Sequence, residues 1–199
     1  MGRKLRTWIP EYFYHIVCRG IRRDALFKDT HDFQTFLYIL QKVHENTPFE
    51  IASYCLMTNH FHLQLRSKEQ PISKVMALIN KRYANYYNTK YNLTGHVFEK
   101  RYFDDMIKTE IGMLEVSRYI HLNPLKAKIV NRLGDYQWSS YPYFLLRGKT
   151  IIPNYMKVDL LLSTFDSHQN VFSSYNDFIE NFDGDKDLLN RILLSKVNS

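Results

Sequence analysis

Residues 49–66 have the sequence FEIASYCLMTNHFHLQLR, and this stretch decides the fold of the chain. Two strand-like apolar runs, Phe49–Met57 and His60–Arg66, are separated only by Thr58 and Asn59. A two-residue polar break between such runs predicts an antiparallel β-hairpin, although Asn-Gly would be a stronger turn signal than Thr-Asn. We therefore expect these two strands to be neighbours in one sheet.

The second run of this hairpin carries a pair of histidines. Side chains alternate between the two faces of a strand, so His60, His62 and Gln64 share one face while the apolar residues between them face a core. Two imidazoles that lie two residues apart on one face can chelate a divalent ion. The alternative is a pair of ordinary surface histidines on a solvated sheet face.

The sequence on either side of the hairpin predicts further strands and helices from its hydrophobic periodicity, its caps and its prolines. These elements are, in chain order, a strand at 11–19, a helix capped by Asp29 or Thr30 and ended before Pro48, a helix that opens at Pro71, a strand at Val97–Ile107, and a helix from Thr109 to Pro124.

The resulting order is strand, helix, strand, strand, helix, strand, helix. It is typical of a ferredoxin-like α+β fold, an antiparallel sheet with helices on one face. We expect residues 1–150 to form this domain and residues 151–199 to form a helical C-terminal extension, with helices near 157–165, 175–182 and 186–196. The fold hosts many unrelated functions and does not by itself assign a chemistry.

Charge is distributed unevenly along the 199 residues. Residues 1–150 carry 23 basic and 13 acidic side chains, whereas residues 151–199 carry 4 basic and 7 acidic ones. A basic body with an acidic tail fits a domain that binds a polyanion. A basic protein that is merely soluble is the alternative.

Composition excludes several classes of protein. No apolar run approaches the roughly 20 residues of a membrane span, and no apolar segment follows the basic N-terminus, so we expect neither membrane insertion nor a secretory signal. Cys18 and Cys55 lie in apolar, strand-like stretches, which predicts buried thiols and a cytoplasmic location.

A search among the fifteen tyrosines gives two candidates for a nucleophile beside a metal ligand. Residues four apart on a helix lie on the same face. Only Tyr119 with Asn123 and Tyr155 with Asp159 have a metal-competent side chain at that spacing. Tyr119 lies near the end of a well-defined helix, whereas Tyr155 follows Pro153 in the acidic tail. Packing is the alternative role for either tyrosine.

Basic and aromatic residues interleave between residues 79 and 103, a pattern typical of nucleic-acid binding. The stretch holds seven aromatic residues, and Glu99 is its only acid. Its tyrosines at positions 83, 86 and 87 fit the core stripe of a helix instead. The basic residues that we predict to contact DNA are Arg19, Arg22, Arg23, Lys81, Arg82, Lys100 and Arg101.

Taken together, the spaced motifs resemble those of the HUH single-tyrosine transposases. The segment Leu56–Leu63 resembles their His-hydrophobe-His motif, and Arg118–Pro124 resembles their Tyr-Ile-x-x-Asn-Pro helix. Matching segments run from about Tyr12 to Tyr143, some two thirds of the chain. The branch that the chain is most similar to contains the REP-associated tyrosine transposases and their insertion-sequence relatives.

This resemblance implies a role for each motif. His60 and His62 would bind Mg²⁺ or Mn²⁺ with Asn123 as third protein ligand, and Tyr119 would attack a phosphodiester of single-stranded DNA. A 5′-phosphotyrosyl link and a free 3′-hydroxyl would result, and attack by a 3′-hydroxyl would rejoin the strand. A hairpin-containing DNA substrate and a homodimer are also implied. The chain departs from the family at Thr58, where proline is frequent, and at Asn123, where many members have glutamine.

Two other functions are compatible with the same motifs. A replication initiator or conjugative relaxase uses the same chemistry, although the small size of the chain argues against it. A non-catalytic ferredoxin-like nucleic-acid-binding protein, such as a domesticated transposase, would need aromatic side chains on an exposed sheet face. The acidic tail would cover a sheet edge, regulate the tyrosine helix or assist dimerisation.

Overall fold

The structure is a computed structural model that describes residues 7–145, 151–165 and 170–181. Its sheet is antiparallel, with strand order β2-β3-β1-β4, which confirms the ferredoxin-like α+β fold. The strands are β1 (Phe13–Arg19), β2 (Glu50–Met57), β3 (His60–Arg66) and β4 (Phe103–Ile107). The helices are α1 (Thr30–His44), α2 (Ile72–Tyr91), α3 (Glu110–Lys126), α4 (Pro142–Leu145), α5 (Asp159–Leu162) and α6 (Val171–Glu180).

The predicted hairpin is present, and its second strand lies in the middle of the sheet. β3 pairs with β2 on one side and with β1 on the other. His62 lies opposite Cys55 of β2 and Val17 of β1, and His60 lies opposite Met57 and Arg19. Because side chains that lie opposite one another in a sheet point to the same face, this register fixes the surroundings of both histidines.

Helices α1 and α2 cover the face of the sheet that the alternation of β3 predicts to be the core. The ring of Phe36 on α1 lies 4.6 Å from the ring of Phe61 on β3, measured between centroids, and both side chains are fully buried. Helix α3 differs from the expectation of helices on one face, because it lies on the opposite face. There Ile120 packs with Cys55 and Met57, whose apolar side chains α3 shields from water.

The fourth strand is shorter than the predicted Val97–Ile107 and contains only Phe103–Ile107. The preceding residues lie beyond the end of β1 and not alongside it. Their backbone pairs with the last residue of β1 and with the turn that follows it, through bonds from Glu99 N to Arg19 O (3.0 Å) and from Ile21 N to Val97 O (2.9 Å). The apolar character of Val97 reflects burial under this turn.

Two later segments cover the outer edge of β2. Leu56 N donates to Trp138 O, and Ile51 N donates to Tyr155 O at 2.7 Å. An open strand edge presents unpaired backbone groups, so this cover protects the sheet. The tail helices predicted near 157–165 and 175–182 correspond to α5 and α6, and the one predicted near 186–196 lies outside the described residues.

One prediction from composition is met. Cys18 and Cys55 are both free thiols, and both are buried. Across the described ranges, no helix is both long enough and apolar enough to cross a membrane.

A buried carboxylate joins the start of α1 to the end of α2. Asp29 caps α1, the choice left open by the sequence, and Asp32 completes the capping box. Asp32 is fully buried and accepts hydrogen bonds of 2.7 Å from Tyr86, Lys90 and Tyr91. Burial would raise the pKa of this carboxyl, but the bonds from Lys90 and the two tyrosines outweigh it and lower the pKa to about 2.

We predict that Asp32→Asn lowers the free energy of unfolding by about 3 kcal/mol at pH 7, because it removes the buried carboxylate that accepts from Lys90, Tyr86 and Tyr91, although Lys90 keeps its exposed partner Asp29. A folded-state pKa below the unfolded value means that this stabilisation is present above about pH 4 and is lost as the pH falls towards 2. Urea unfolding measures the difference. The matched control is Asp29→Asn, which keeps a helix-capping side chain and removes only the exposed partner of Lys90, so its loss should be smaller. Equal losses in the two variants would contradict the role of Asp32.

Candidate active site

Three histidines converge on the face of the sheet opposite α1 and α2. His60 and His62 come from β3, and the register of β1 brings His15 to the same face. They line a cleft of about 400 Å³ together with Tyr119 of α3. The charged residues that line it are Arg19, Glu99, Lys100 and Arg101.

The ring of His62 is buried, with 3% of the residue exposed, and only one of its two nitrogens is hydrogen-bonded. Its Nδ1 lies 3.0 Å from Nε2 of His15. Its Nε2 is buried without a hydrogen-bond partner among the described residues. Buried polar atoms are rarely left unpaired, and a free imidazole nitrogen whose other nitrogen is held by a neighbour is the usual arrangement of a metal ligand.

His60 is held in the same way. Its Nδ1 lies 2.7 Å from Oδ1 of Asn59. Because an amide oxygen only accepts, Nδ1 of His60 carries the hydrogen and Nε2 keeps the lone pair. The ring centroids of His60 and His62 are 4.9 Å apart. Both rings are therefore oriented through Nδ1 and can offer Nε2 as a ligand.

All three imidazoles favour the neutral form. Burial lowers the pKa of His15 despite the opposing charge of Asp105. Burial, with Arg19 acting in the same direction, also lowers the pKa of His60. The pKa of His62 is well below its ordinary value, through burial first and then through the neighbouring His60, His15 and Arg19. Metal binding requires a neutral imidazole, so no proton has to be displaced at pH 7.

Tyr119 lies beside this group within the same chain. Its ring centroid is 5.4 Å from that of His62 and 5.6 Å from that of His15, with both pairs meeting edge to face. Tyr119 is 44% exposed, so a substrate can reach its side chain. The other candidate from the sequence, Tyr155, is buried beneath β2 and packs near Phe49, which makes it a packing residue.

Asn123 is not brought into the cleft. It lies one turn beyond Tyr119, and its Nδ2 donates to Tyr119 O at 2.8 Å and to Ile120 O at 3.4 Å. Pro124 explains this contact, because proline has no N–H to bond Ile120 O, the carbonyl four residues earlier. The side chain of Asn123 supplies the missing donor, and its Oδ1 remains the atom that could bind a metal.

The residues present fit a divalent ion. Across the described residues, no group of three or more His, Cys, Asp or Glu side chains could hold a metal. The donors are instead the Nε2 atoms of two neutral imidazoles, and that of His62 is buried without a hydrogen-bond partner. Oδ1 of Asn123, outside the cleft, is a further candidate donor. So few protein ligands leave coordination positions open for substrate oxygens, which suits Mg²⁺ or Mn²⁺.

A family model described as transposase IS200 like matches residues 9–123, more than half of the chain. The chain belongs to the IS200-like transposase family. A Haemophilus influenzae chain named as a REP-associated tyrosine transposase is 22% identical over 142 residues, which are 65% of this chain and 78% of that one. The resemblance found in the sequence is thereby confirmed.

The fold of this family member also matches a solved structure. A REP-associated tyrosine transposase bound to a REP hairpin superposes with a TM-score of 0.64 at 20% sequence identity. The match covers 79% of this chain and 93% of the other. At that identity, the match shows a common fold.

The predicted DNA-binding residues fall into two groups. Arg19, Lys100 and Arg101 line the histidine cleft. Lys100 and Arg101 also line an adjoining groove of about 820 Å³ between α2 and residues 95–104, and Lys81 lies on its other wall. The remaining predicted residues line neither cavity: Arg22 and Arg23 are exposed in the turn after β1, and Arg82 is exposed on α2.

Four residues that line the cleft were not predicted from the sequence to act there, namely His15, Val17, Glu99 and Phe103. For His15 a signal existed, because it alternates with Val17 and Arg19 along β1. Placing it beside His62 requires the register of β1 against β3, which the sequence does not state. Phe103 depends in the same way on where β4 begins.

Helix α3 is held in place by a buried histidine next to the tyrosine. His121 Nε2 lies 2.8 Å from Ser140 Oγ, and His121 Nδ1 lies 3.0 Å from the hydroxyl of Tyr175 on α6. The Ser140 hydroxyl donates to Tyr54 O, so it accepts from His121 Nε2–H, and Nδ1 accepts from Tyr175. Burial lowers the pKa of His121 to about 3, which keeps the ring neutral.

Helix α6 adds a second contact to α3. The guanidinium carbon of Arg118 lies 3.5 Å from the ring centroid of Phe178, a cation–π contact. The residues at positions 118 and 121 thus bind the C-terminal segment, and Tyr119 lies between them on the exposed side. We therefore expect the orientation of Tyr119 to depend on this attachment.

We predict that Tyr175→Phe, which removes one hydroxyl from this attachment, changes the surroundings of Tyr119. The measurement is ¹⁹F NMR with 3-fluorotyrosine at position 119, whose signal should move towards the solvent-exposed value. The matched control is Tyr83→Phe, which loses a buried bond from Tyr83 to Leu26 O (2.6 Å) on the other face of the sheet. Each variant loses about 1 kcal/mol of stability. Identical spectra in the two variants would show that α6 does not position Tyr119.

Proposed function

We propose that the protein is a transposase that cleaves and rejoins single-stranded DNA through Tyr119, with a 5′-phosphotyrosine intermediate. The observation that carries this proposal is the orphaned Nε2 of His62 in the same cleft as the exposed ring of Tyr119. Membership of the IS200-like family supports it over the replication-initiator and relaxase alternatives.

In the proposed cleavage step, the phenolic oxygen of Tyr119 bonds to phosphorus and the bond from phosphorus to the 3′ oxygen breaks. The phenolic proton passes to solvent, which reaches the exposed ring, and the leaving oxygen takes up a proton to become the 3′-hydroxyl. Rejoining is the reverse attack by a 3′-hydroxyl. The covalent link conserves the phosphodiester energy, so no nucleotide cofactor is needed.

His60 and His62 are the proposed metal ligands, with Asn123 Oδ1 as the third. When bound, Mg²⁺ or Mn²⁺ supplies Lewis-acid polarisation of the scissile phosphate, without which a phenol is a poor nucleophile at neutral pH. His15 holds the ring of His62 through its Nδ1, and Asn59 does the same for His60. These contacts leave Nε2 of each ring as the nitrogen available to a metal.

The proposed substrate is a single strand that carries a hairpin. The solved relative is bound to a REP hairpin, and the basic lining that the cleft shares with the groove suits a phosphate backbone. A homodimer stays a prediction. Tyr119 and the histidines lie together within one chain, so their contact does not require a second copy.

We predict that Tyr119→Phe abolishes the covalent adduct and leaves DNA binding within severalfold, because only the attacking oxygen is removed. Labelled single-stranded DNA from the sequences that flank the gene is incubated with Mn²⁺ or EDTA and run on denaturing gels. Tyr38→Phe, at an exposed tyrosine on α1, is the matched control and should form adduct normally.

An unchanged adduct in Tyr119→Phe would assign the nucleophile to another residue. Tight DNA binding without an adduct in the wild-type protein would instead favour the non-catalytic, domesticated alternative.

We also predict that His60→Ala combined with His62→Ala abolishes Mn²⁺ binding in isothermal titration calorimetry, and cleavage with it. His15→Ala should weaken Mn²⁺ binding by about 10- to 100-fold, because it leaves the ring of His62 without its orienting partner. His31→Ala, at an exposed histidine on α1, is the control. Full cleavage in EDTA, or equal Mn²⁺ affinity in all variants, would rule out this metal site.

A further inference from the structure

Phe103 is a large apolar residue that is exposed to solvent. It is the first residue of β4 and is 55% exposed, whereas its neighbour Tyr102 is buried. Phe103 lies opposite Val17 of β1, and Val17 lies opposite His62 of β3. The three residues form one row across the sheet, so Phe103 is on the face of the histidines.

This row gives the distance between Phe103 and the proposed metal ligands. Neighbouring strands are about 4.8 Å apart, so two strand spacings separate Phe103 from His62 by about 10 Å. Helix α3 packs over β2 at the other side of this face and leaves the side chain of Phe103 uncovered. A group bound at His62 and a planar group resting on Phe103 would be close neighbours.

Phe103 also lies where the two cavities meet. It lines both the cleft of about 400 Å³ and the groove of about 820 Å³. Lys100 and Arg101 line both cavities as well, and Lys81 lines the groove. An apolar ring thus lies among three cations and two carboxylates, Glu99 and Asp104, along a continuous depression that begins at the histidines.

We propose that Phe103 is a stacking platform for one unpaired nucleobase of the strand whose phosphate is held at His60 and His62. This subsite rests on the proposed function. Every base has a flat π-face, so an aromatic side chain beside a basic groove binds single strands without requiring a given sequence. Lys100 and Arg101 would pair with the flanking phosphates while the ring of Phe103 takes the base.

A second copy of the chain is the competing occupant, because β4 is at the edge of the sheet. The charge around Phe103 favours nucleic acid. Lysine is depleted from the cores of protein interfaces, whereas clustered Lys and Arg are typical of surfaces that bind a phosphate backbone. The groove beside Phe103 has three cations, Lys81, Lys100 and Arg101, against two carboxylates, Glu99 and Asp104.

The test uses a single-stranded oligodeoxyadenylate with 2-aminopurine at successive positions, whose fluorescence falls when the base stacks. It is run in EDTA with Tyr119→Phe as the parent protein, so that neither cleavage nor metal enters the measurement. We expect quenching at one or two adjacent positions. Adding Phe103→Ala should remove this quenching and weaken binding by about 5- to 100-fold, the equivalent of losing one stacked base.

Two features distinguish stacking from a general loss of structure or charge. Phe103→Tyr keeps the ring and should restore both the quenching and the affinity. The slope of affinity against salt concentration should be equal in the parent and in Phe103→Ala, because no cation is removed. Tyr38→Ala, at an aromatic residue that is 61% exposed on α1, is the control and should change neither quantity.

Unchanged quenching in Phe103→Ala, or no binding of the probe by the parent protein, would overturn the proposal. So would light scattering that shows a parent dimer converted to monomers by Phe103→Ala, since the ring would then belong to a protein interface. Quenching that depends on Phe103, in a wild-type protein that forms no adduct, would leave this subsite standing while refuting the proposed chemistry.

Discussion

The register of β3 between β1 and β2 is the constraint on which the rest of the molecule depends. With a side-chain period of two, a slip of one residue would turn His60 and His62 into the core and Phe61 into water. The core prevents this slip, since Phe61, Leu63 and Leu65 are fully buried against α1 and α2. The hydrophobic effect therefore places the two imidazoles, although neither contributes to it.

Because of the same register, residues from three strands and one helix line the cleft. His15 reaches His62 only because β1 pairs with β3 in this alignment. Tyr119 reaches both rings because α3 crosses the histidine face, where Ile120 is buried on Cys55 and Met57. The two neighbours of Tyr119 along α3 thus contact different parts of the protein. Ile120 packs on the sheet, and Arg118 contacts Phe178 of α6.

Local sequence patterns predict much of the fold and part of the cleft. The β2–β3 hairpin, the order of the elements, and the position of His60 and His62 on one face follow from periodicity and spacing. Spacing alone left both Tyr119 and Tyr155 as candidates, and the resemblance to the family favoured Tyr119. The start of β4, the face chosen by α3, and the place of His15 do not follow from local patterns. Each depends on contacts between residues far apart in the chain, such as Leu56 with Trp138, and no local pattern encodes a partner at that distance.

The contacts of the acidic tail also could not be predicted from local sequence. Its composition predicts helices and an acidic surface, and α5 and α6 are present. That Tyr155 would bond the edge of β2, and that Tyr175 would bond a histidine of α3, could not be predicted, because each requires the fold of the preceding residues. The residues beyond 150 complete the core that the first 145 begin.

Pro124 restricts which side chains position 123 can accept. Since the proline cannot donate to Ile120 O, the residue before it must supply a hydrogen there. An aspartate would offer a charged oxygen for a divalent ion, but it would turn acceptors towards two backbone carbonyls and repel them. Only an amide serves both neighbours, with its nitrogen bonding the helix and its oxygen free for a cation. In the proposed metal site Asn123 would therefore be a neutral ligand, and the anions available to balance the charge of the ion would be Glu99 of the cleft lining and the substrate phosphate.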